Sequence, residues 1–199
     1  MISHPIFART YQRLSVTMDR AGASEHRRAL VTGLRGRVIE VGAGNGRMFA
    51  HYPREIEEVL AVEPEPRLRA AAITAARTAR VPVRVVDGTA DALPAADGEF
   101  DAAVTSLVLC TVPDEATALT EIRRTLRPGG ELRFYEHGPD PSRTRSQLTL
   151  RVRHAPECRR DGSSRRHPGR RAGVPPRTAP GQIRNGGWRR KAESGSVGQ

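Results

Sequence analysis

The chain predicts an α/β fold built on a doubly wound, mostly parallel sheet, and three observations carry that prediction. Short β-branched runs alternate with segments whose apolar residues recur at helical spacing. The first run, Val38-Ile39-Glu40-Val41, breaks into glycines at alternate positions, Gly42, Gly44 and Gly46. The second, Val59-Leu60-Ala61-Val62, ends in an acid, Glu63.

Taken in order, residues 5–33 read as one or two helices, with Ile6, Phe7, Tyr11 and Leu14 on one face and Ala29, Leu30 and Leu34 further on. Strands are expected at 38–41, 59–62, 83–86, 102–104 and 132–135, each a short β-branched or apolar run. Between them, an alanine-rich helix is expected over 66–80 and a second over 115–126, where Ala118, Leu119, Ile122 and Leu126 share a face. Asp114 is placed to cap the second helix, and Pro128-Gly129-Gly130 to end it. Such alternation implies parallel strands joined by right-handed crossovers. Ligands of these sheets bind outside the carboxyl ends of the strands, where Gly42, Gly44, Gly46, Glu63, Thr89 and Ser106 all fall.

The glycine turn reads as the seat of a nucleotide-type cofactor. A buried strand that turns sharply beside a ligand needs residues without side chains, and an acid closing the next strand can accept from both hydroxyls of a ribose. The spacing narrows the choice. A dinucleotide fingerprint is G-x-G-x-x-G, with a pyrophosphate on the helix N-terminus. Here the pattern is G-x-G-x-G followed by Arg47-Met48, which suits a ligand without phosphate whose amino-acid portion lies across the turn.

From about His4 to Asp140 the chain resembles the class I S-adenosylmethionine-dependent methyltransferases. The matching segments beyond the glycine turn are Ala61-Val62-Glu63-Pro64, Asp87-Gly88-Thr89-Ala90-Asp91-Ala92-Leu93-Pro94, Phe100-Asp101-Ala102-Ala103-Val104 and Leu126-Arg127-Pro128-Gly129-Gly130. It is most similar to the small-molecule branch containing quinone-biosynthesis C-methyltransferases and the thiol methyltransferases. The run 106–112 and the pair Glu136-His137 favour the latter. The resemblance implies a Rossmann-like methyltransferase fold and S-adenosylmethionine as cofactor. Gly42, Gly44, Asn45 and Gly46 would then cradle its methionine part, with Glu40 counted in the same set, and Glu63 its ribose. Thr89 and Ala90 would meet the adenine edge, and Ser106 would face the cofactor. The family usually has an acid or Asn where Thr89 stands, so the adenine amino group is left to a hydroxyl, the Ala90 backbone or Asp91. An N-terminal helix closing over the cofactor would make Tyr11 a lid residue, although Phe7 and Tyr11 equally suit plain helix packing.

Charge divides the chain. Residues 1–140 carry 18 Lys+Arg against 19 Asp+Glu, and residues 141–199 carry 15 against 3, so the net +11 belongs to the tail. Large apolar residues in that tail are only Leu148, Leu150, Val152, Val174, Ile183, Trp188 and Val197. We therefore expect a methyltransferase domain over 1–140 and a basic, disordered tail over 141–199, with a short extended piece at 147–152. The resemblance implies a closing helix and two terminal strands here, and strands six and seven are expected to be absent. A basic arm for nucleic acid or acidic membranes fits the charge, but the arginines are scattered among Pro and Gly and Lys191 is the chain's sole lysine. Composition favours a reading frame shifted within a GC-rich gene.

The leading function is transfer of a methyl group to a small-molecule acceptor. The alternatives are a nucleotide-dependent oxidoreductase on a similar fold, or nucleic-acid binding through the tail. Methyl transfer from a sulfonium needs alignment and exclusion of water more than a base. His137 is the candidate base if the acceptor must lose a proton, with Glu136 or Asp140 nearby. Cys110 and Cys158 form no disulfide framework or metal spacing, and Cys110 is expected to pack as a small hydrophobe. With no signal-peptide pattern and no apolar run of about 18 residues, the expectation is a cytoplasmic protein without metal or membrane span.

Overall fold

In the computed structural model, residues 23–136, 146–152 and 188–190 are described. The elements are α1 (Ser24–Val31), β1 (Gly36–Val41), a 3-10 turn (Phe49–His51), β2 (Ile56–Val62), α2 (Pro66–Ala76), β3 (Val83–Val86), β4 (Phe100–Ser106), α3 (Glu115–Thr125), β5 (Leu126–Glu136), β6 (Ser146–Val152) and β7 (Trp188–Arg190). One sheet joins the strands in the order β3-β2-β1-β4-β5-β6-β7. The first five are parallel, as the alternation of strands and helices requires.

Register follows from burial. β1 lies between β2 and β4, with Val41 opposite Val62 on one side and Thr105 on the other. Alternate side chains serve opposite faces. Val38, Val59, Ala61, Ala102 and Val104 pack with Leu30 and Val31 of α1 and Ala72 of α2. Ile39, Val41, Leu60, Val62, Ala103 and Leu132 pack with Ala118 and Ile122 of α3. A central strand buried on both faces is why 38–41 reads as a continuous apolar run broken by one acid.

Helix ends obey the local chemistry. Asp114 caps α3 as expected, its Oδ1 accepting from the amides of Ala116 at 2.9 Å and Thr117 at 3.3 Å. α2 starts on Pro66 with the Glu65 carboxylate accepting from Leu68 N at 2.8 Å. It stops at Ala76, short of the expected 80, because the chain must turn for Pro82 O to accept from Val59 N and seat β3. α1 is tied down from across the sheet by Arg133, whose guanidinium donates to Leu30 O and Thr32 O at its C-terminus.

The C-terminal side of the sheet departs most from expectation. β5 begins at Leu126, six positions early: the helix does stop there, but Leu126 pairs with Phe100 and the register then slips to Ala102 opposite Glu131. Residues 127–130 are absorbed by that slip. The expected absence of strands six and seven is corrected: β6 pairs antiparallel with β5, and β7 with β6. The extended piece expected at 147–152 is β6, and the alternation of Leu148, Leu150 and Val152 with Gln147, Thr149 and Arg151, which suits it to a sheet, is the missed signal. The outer edge of β5 needs backbone partners, which even an apolar-poor segment can supply. The remaining positions of the expected tail lie outside the described residues, as do Phe7, Tyr11, His137 and Asp140.

Candidate functional site

The strand order reverses direction between β1 and β4, and the crevice outside their carboxyl ends is where a sheet of this kind can take a ligand. A cavity of about 860 Å³ lies there, lined by the turns after β1, β2, β3 and β4 and by the start of α3. That volume is within the range of small-molecule sites.

The first wall is the glycine turn. Gly42 and Ala43 donate to Val62 O at 2.9 and 3.0 Å, bending the chain over the end of β2. Gly42 and Gly46 have φ of +73° and +76°, a region that side chains resist. Their surroundings differ. A Cβ at Gly42 would sit 2.4 Å from Val108 Cγ2, whereas one at Gly46 would meet Phe49 at 2.7 Å and Ala75 at 2.9 Å. Gly46 is thus needed for packing against the 3-10 turn and α2, and Gly42 for packing against the turn after β4.

Glu63, closing β2, points back into this turn. Its Oε2 accepts from Gly44 N at 2.7 Å and its Oε1 from Glu65 N at 2.9 Å. Burial pushes its carboxyl up, against the pull of those two amides. Each oxygen retains a lone pair, so the carboxylate can hold its backbone partners and still accept from a ligand hydroxyl. Behind it, Arg69 of α2 donates to Glu63 O, Pro64 O and Asp87 Oδ1 at 2.7 to 2.9 Å, joining the ends of β2 and β3.

Thr89, Ala90 and Asp91 form the third wall. Thr89 and Ala92 make an isolated bridge, and the loop beyond is held to α3 by Arg124, which donates to Ala95 O and Leu93 O. Leu93 N donates in turn to Glu121. The fourth wall is the turn after β4, with Ser106, Leu107, Val108, Thr111 and Val112 lining the cavity.

Of the residues singled out from the sequence, Gly42, Gly44, Glu63, Thr89, Ala90 and Ser106 line this cavity together. Asn45 and Gly46 line a second, smaller one of about 450 Å³ between the 3-10 turn and α2. Glu40 lines neither. It is buried beneath the glycine turn, accepting from Tyr52 OH at 2.8 Å, and burial pushes its carboxyl up to about 8. Cys110 corrects the expectation of a packed thiol: it is exposed, because Thr111 N folds back onto Val108 O and turns residue 110 outward while Leu109 goes in. Sequence reasoning missed Leu68, Val108, Thr111 and Val112 on the walls, and Arg69 and Arg124 behind them. An Arg one turn past the Glu65 cap was the available signal for Arg69.

The cradle fits a bound adenosyl cofactor: a close glycine turn, a buried acid with acceptor capacity left, and apolar walls from Leu68 and Val112. Among the described residues no helix is long and apolar enough to cross a membrane.

Residues 39–134 match a family model described as a methyltransferase domain. The chain is 36% identical over 116 residues to the thiol S-methyltransferase TMT1B of Homo sapiens, covering 56% of this chain and 47% of that protein. To the human thiol S-methyltransferase TMT1A it is 35% identical over 103 residues, covering 50% and 42%. The matches thus span less than half the length of these curated relatives. Among solved structures, a SAM-dependent methyltransferase from Thermotoga maritima aligns with a TM-score of 0.53 at 33% identity, over 65% of this chain and 57% of that one.

Proposed function

Through residues 39–134 this chain belongs to the class I S-adenosylmethionine-dependent methyltransferases, and from that premise we propose that it methylates a small-molecule acceptor, with a thiol as the acceptor class. The observation that carries the reading is the meeting of four sequence-distant turns in one cavity, with the Glu63 carboxylate turned into the glycine turn. The thiol rests on what the two human relatives are named for.

When bound, S-adenosylmethionine supplies a methyl group on a sulfonium that a nucleophile can take by in-line displacement. The chain's own contribution is binding, orientation and exclusion of water. We assign the ribose hydroxyls to Glu63, the amino-acid portion to Gly42 and Gly44, and the adenine edge to Thr89 and Ala90. Glu40, Asn45 and Gly46 act from behind the turn. Ser106 and Val108, at the seam of β1 and β4, then face the side from which the acceptor approaches. His137, directly after β5 in sequence, is the residue assigned to take a thiol proton. The catalytic unit is assigned to 1–140.

Titration calorimetry with S-adenosylmethionine tests the reading, followed by mass spectrometry of a small thiol incubated with both. Saturable binding and a mass gain of one methyl group are expected. A chain that takes up no S-adenosylmethionine ends it, and binding with no methylated thiol removes the acceptor class alone.

A further inference from the structure

We propose that Glu136 is a positioning residue whose carboxylate clamps the turn after β4 and thereby holds Val108 on Gly42. The proposal deepens the methyltransferase reading and rests on it for the cofactor arm of its test.

Leu107 is the one non-glycine residue with positive φ among the described residues, at 59°. A leucine in the left-handed region is strained and persists only where its surroundings over-determine it. Three bonds from the end of β5 do so. Leu107 N donates to Tyr135 O at 2.8 Å, and Val108 N and Leu109 N donate to a single oxygen, Glu136 Oε1, at 2.8 and 3.0 Å. The turn then closes on itself, with Thr111 N and Oγ1 both donating to Val108 O.

The clamp has a consequence at the cofactor turn. Val108 is the side chain that fills the space a Cβ at Gly42 would need. Leu107, Val108 and Thr111 are also cavity wall. Releasing Glu136 would therefore free the strained leucine, lift Val108 from Gly42 and loosen both turns at the β1–β4 seam. Glu136 itself is buried, and its Oε2 has no hydrogen-bond partner among the described residues. Burying this group is costly, and the return visible in the structure is the two amides on Oε1 together with the neighbouring Cys110 thiol, which burial and the Glu136 side chain push up.

The test combines amide hydrogen exchange with calorimetry on the full chain. In Glu136→Ala the amides of Val108 and Leu109 are expected to exchange at least about tenfold faster, and S-adenosylmethionine to bind about tenfold more weakly. Glu136→Gln keeps an oxygen acceptor at the same reach and should recover most of both effects. Glu136→Asp keeps the charge but draws the oxygens back by one methylene, and should behave like the alanine variant; it carries the test if alanine impairs folding. Unchanged exchange at 108 and 109 in the alanine or aspartate variant overturns the clamp. Faster exchange with unchanged cofactor affinity overturns its link to Gly42. If the unaltered chain binds no S-adenosylmethionine, the methyltransferase reading fails and the exchange rates alone decide the clamp.

Discussion

The turns after β1 and after β4 are held by the same device and differ in what it costs. In each, a carboxylate closing the neighbouring strand accepts two backbone amides, but Glu63 takes one from the turn, Gly44, and one from its own loop, Glu65, whereas Glu136 takes both, Val108 and Leu109, from the turn. The first turn is built of glycine, for which positive φ is free, so Glu63 spends one lone pair per oxygen and faces the cavity with the rest. The second has a leucine at +59° held by Glu136; both acids are buried, but only Glu63 lines the cavity. One acid lines the cavity and the other faces only the turn it holds.

The largest expected effect lies beneath the first turn. Glu40 has a folded value of about 8 against an ordinary 4.5, so between these the folded state binds a proton that the unfolded chain does not. Stability contributed at this site is therefore whole below 4.5, falls as pH rises through 8, and is flat beyond, at up to about 1.4 kcal/mol per pH unit. Glu40→Gln keeps an acceptor for Tyr52 and should flatten the profile. Urea titrations of both proteins from pH 4 to 9 give the difference, which also cancels the opposite trend of Glu99 and Glu121, whose carboxyls are held below the usual range. Parallel profiles would mean that Glu40 titrates normally.

Next comes the contact between the turns. Gly42→Ala drives a methyl into Val108 at a φ that alanine resists, and should destabilise the protein by about 2 to 4 kcal/mol. Adding Val108→Ala makes room and should return about half of that, leaving the backbone strain. Additive denaturation midpoints for the pair would separate the two turns energetically.

Glu63→Ala should weaken S-adenosylmethionine by about 1 to 3 kcal/mol, read by calorimetry. An unchanged affinity would remove Glu63 from the site and with it any functional meaning of the contrast between the two acids. The smallest effect belongs to Leu107→Gly: relief of left-handed strain opposes lost packing and a freer unfolded chain, so the melting temperature should move by the equivalent of less than about 1 kcal/mol. A loss of several kcal/mol would show that Leu107 is held by packing and not against strain.

Much of this was legible beforehand because it is local. β-branched runs announce β1 to β4, Asp114 announces the start of α3, and alternate glycines followed by Glu63 announce the first turn and its acid. The second turn was not legible. No spacing rule links Glu136 to Val108 and Leu109, 28 and 27 positions away, and nothing in Ser106-Leu107-Val108 marks a left-handed leucine. Cys110 was misplaced for the same reason, since an apolar run reads as buried until a turn throws one residue out.

Composition and periodicity were enough to decide that this chain makes a parallel sheet with a glycine turn at the end of its first strand, because dihedral preference and apolar spacing act over a few residues. Which acid lines the cavity and which holds the turn after β4 was decided by strand order, which sets β4 against β1 and β5 against β4. Hydrogen bonds form between groups that packing brings within 3 Å, and the pairing of strands is a property of the whole chain.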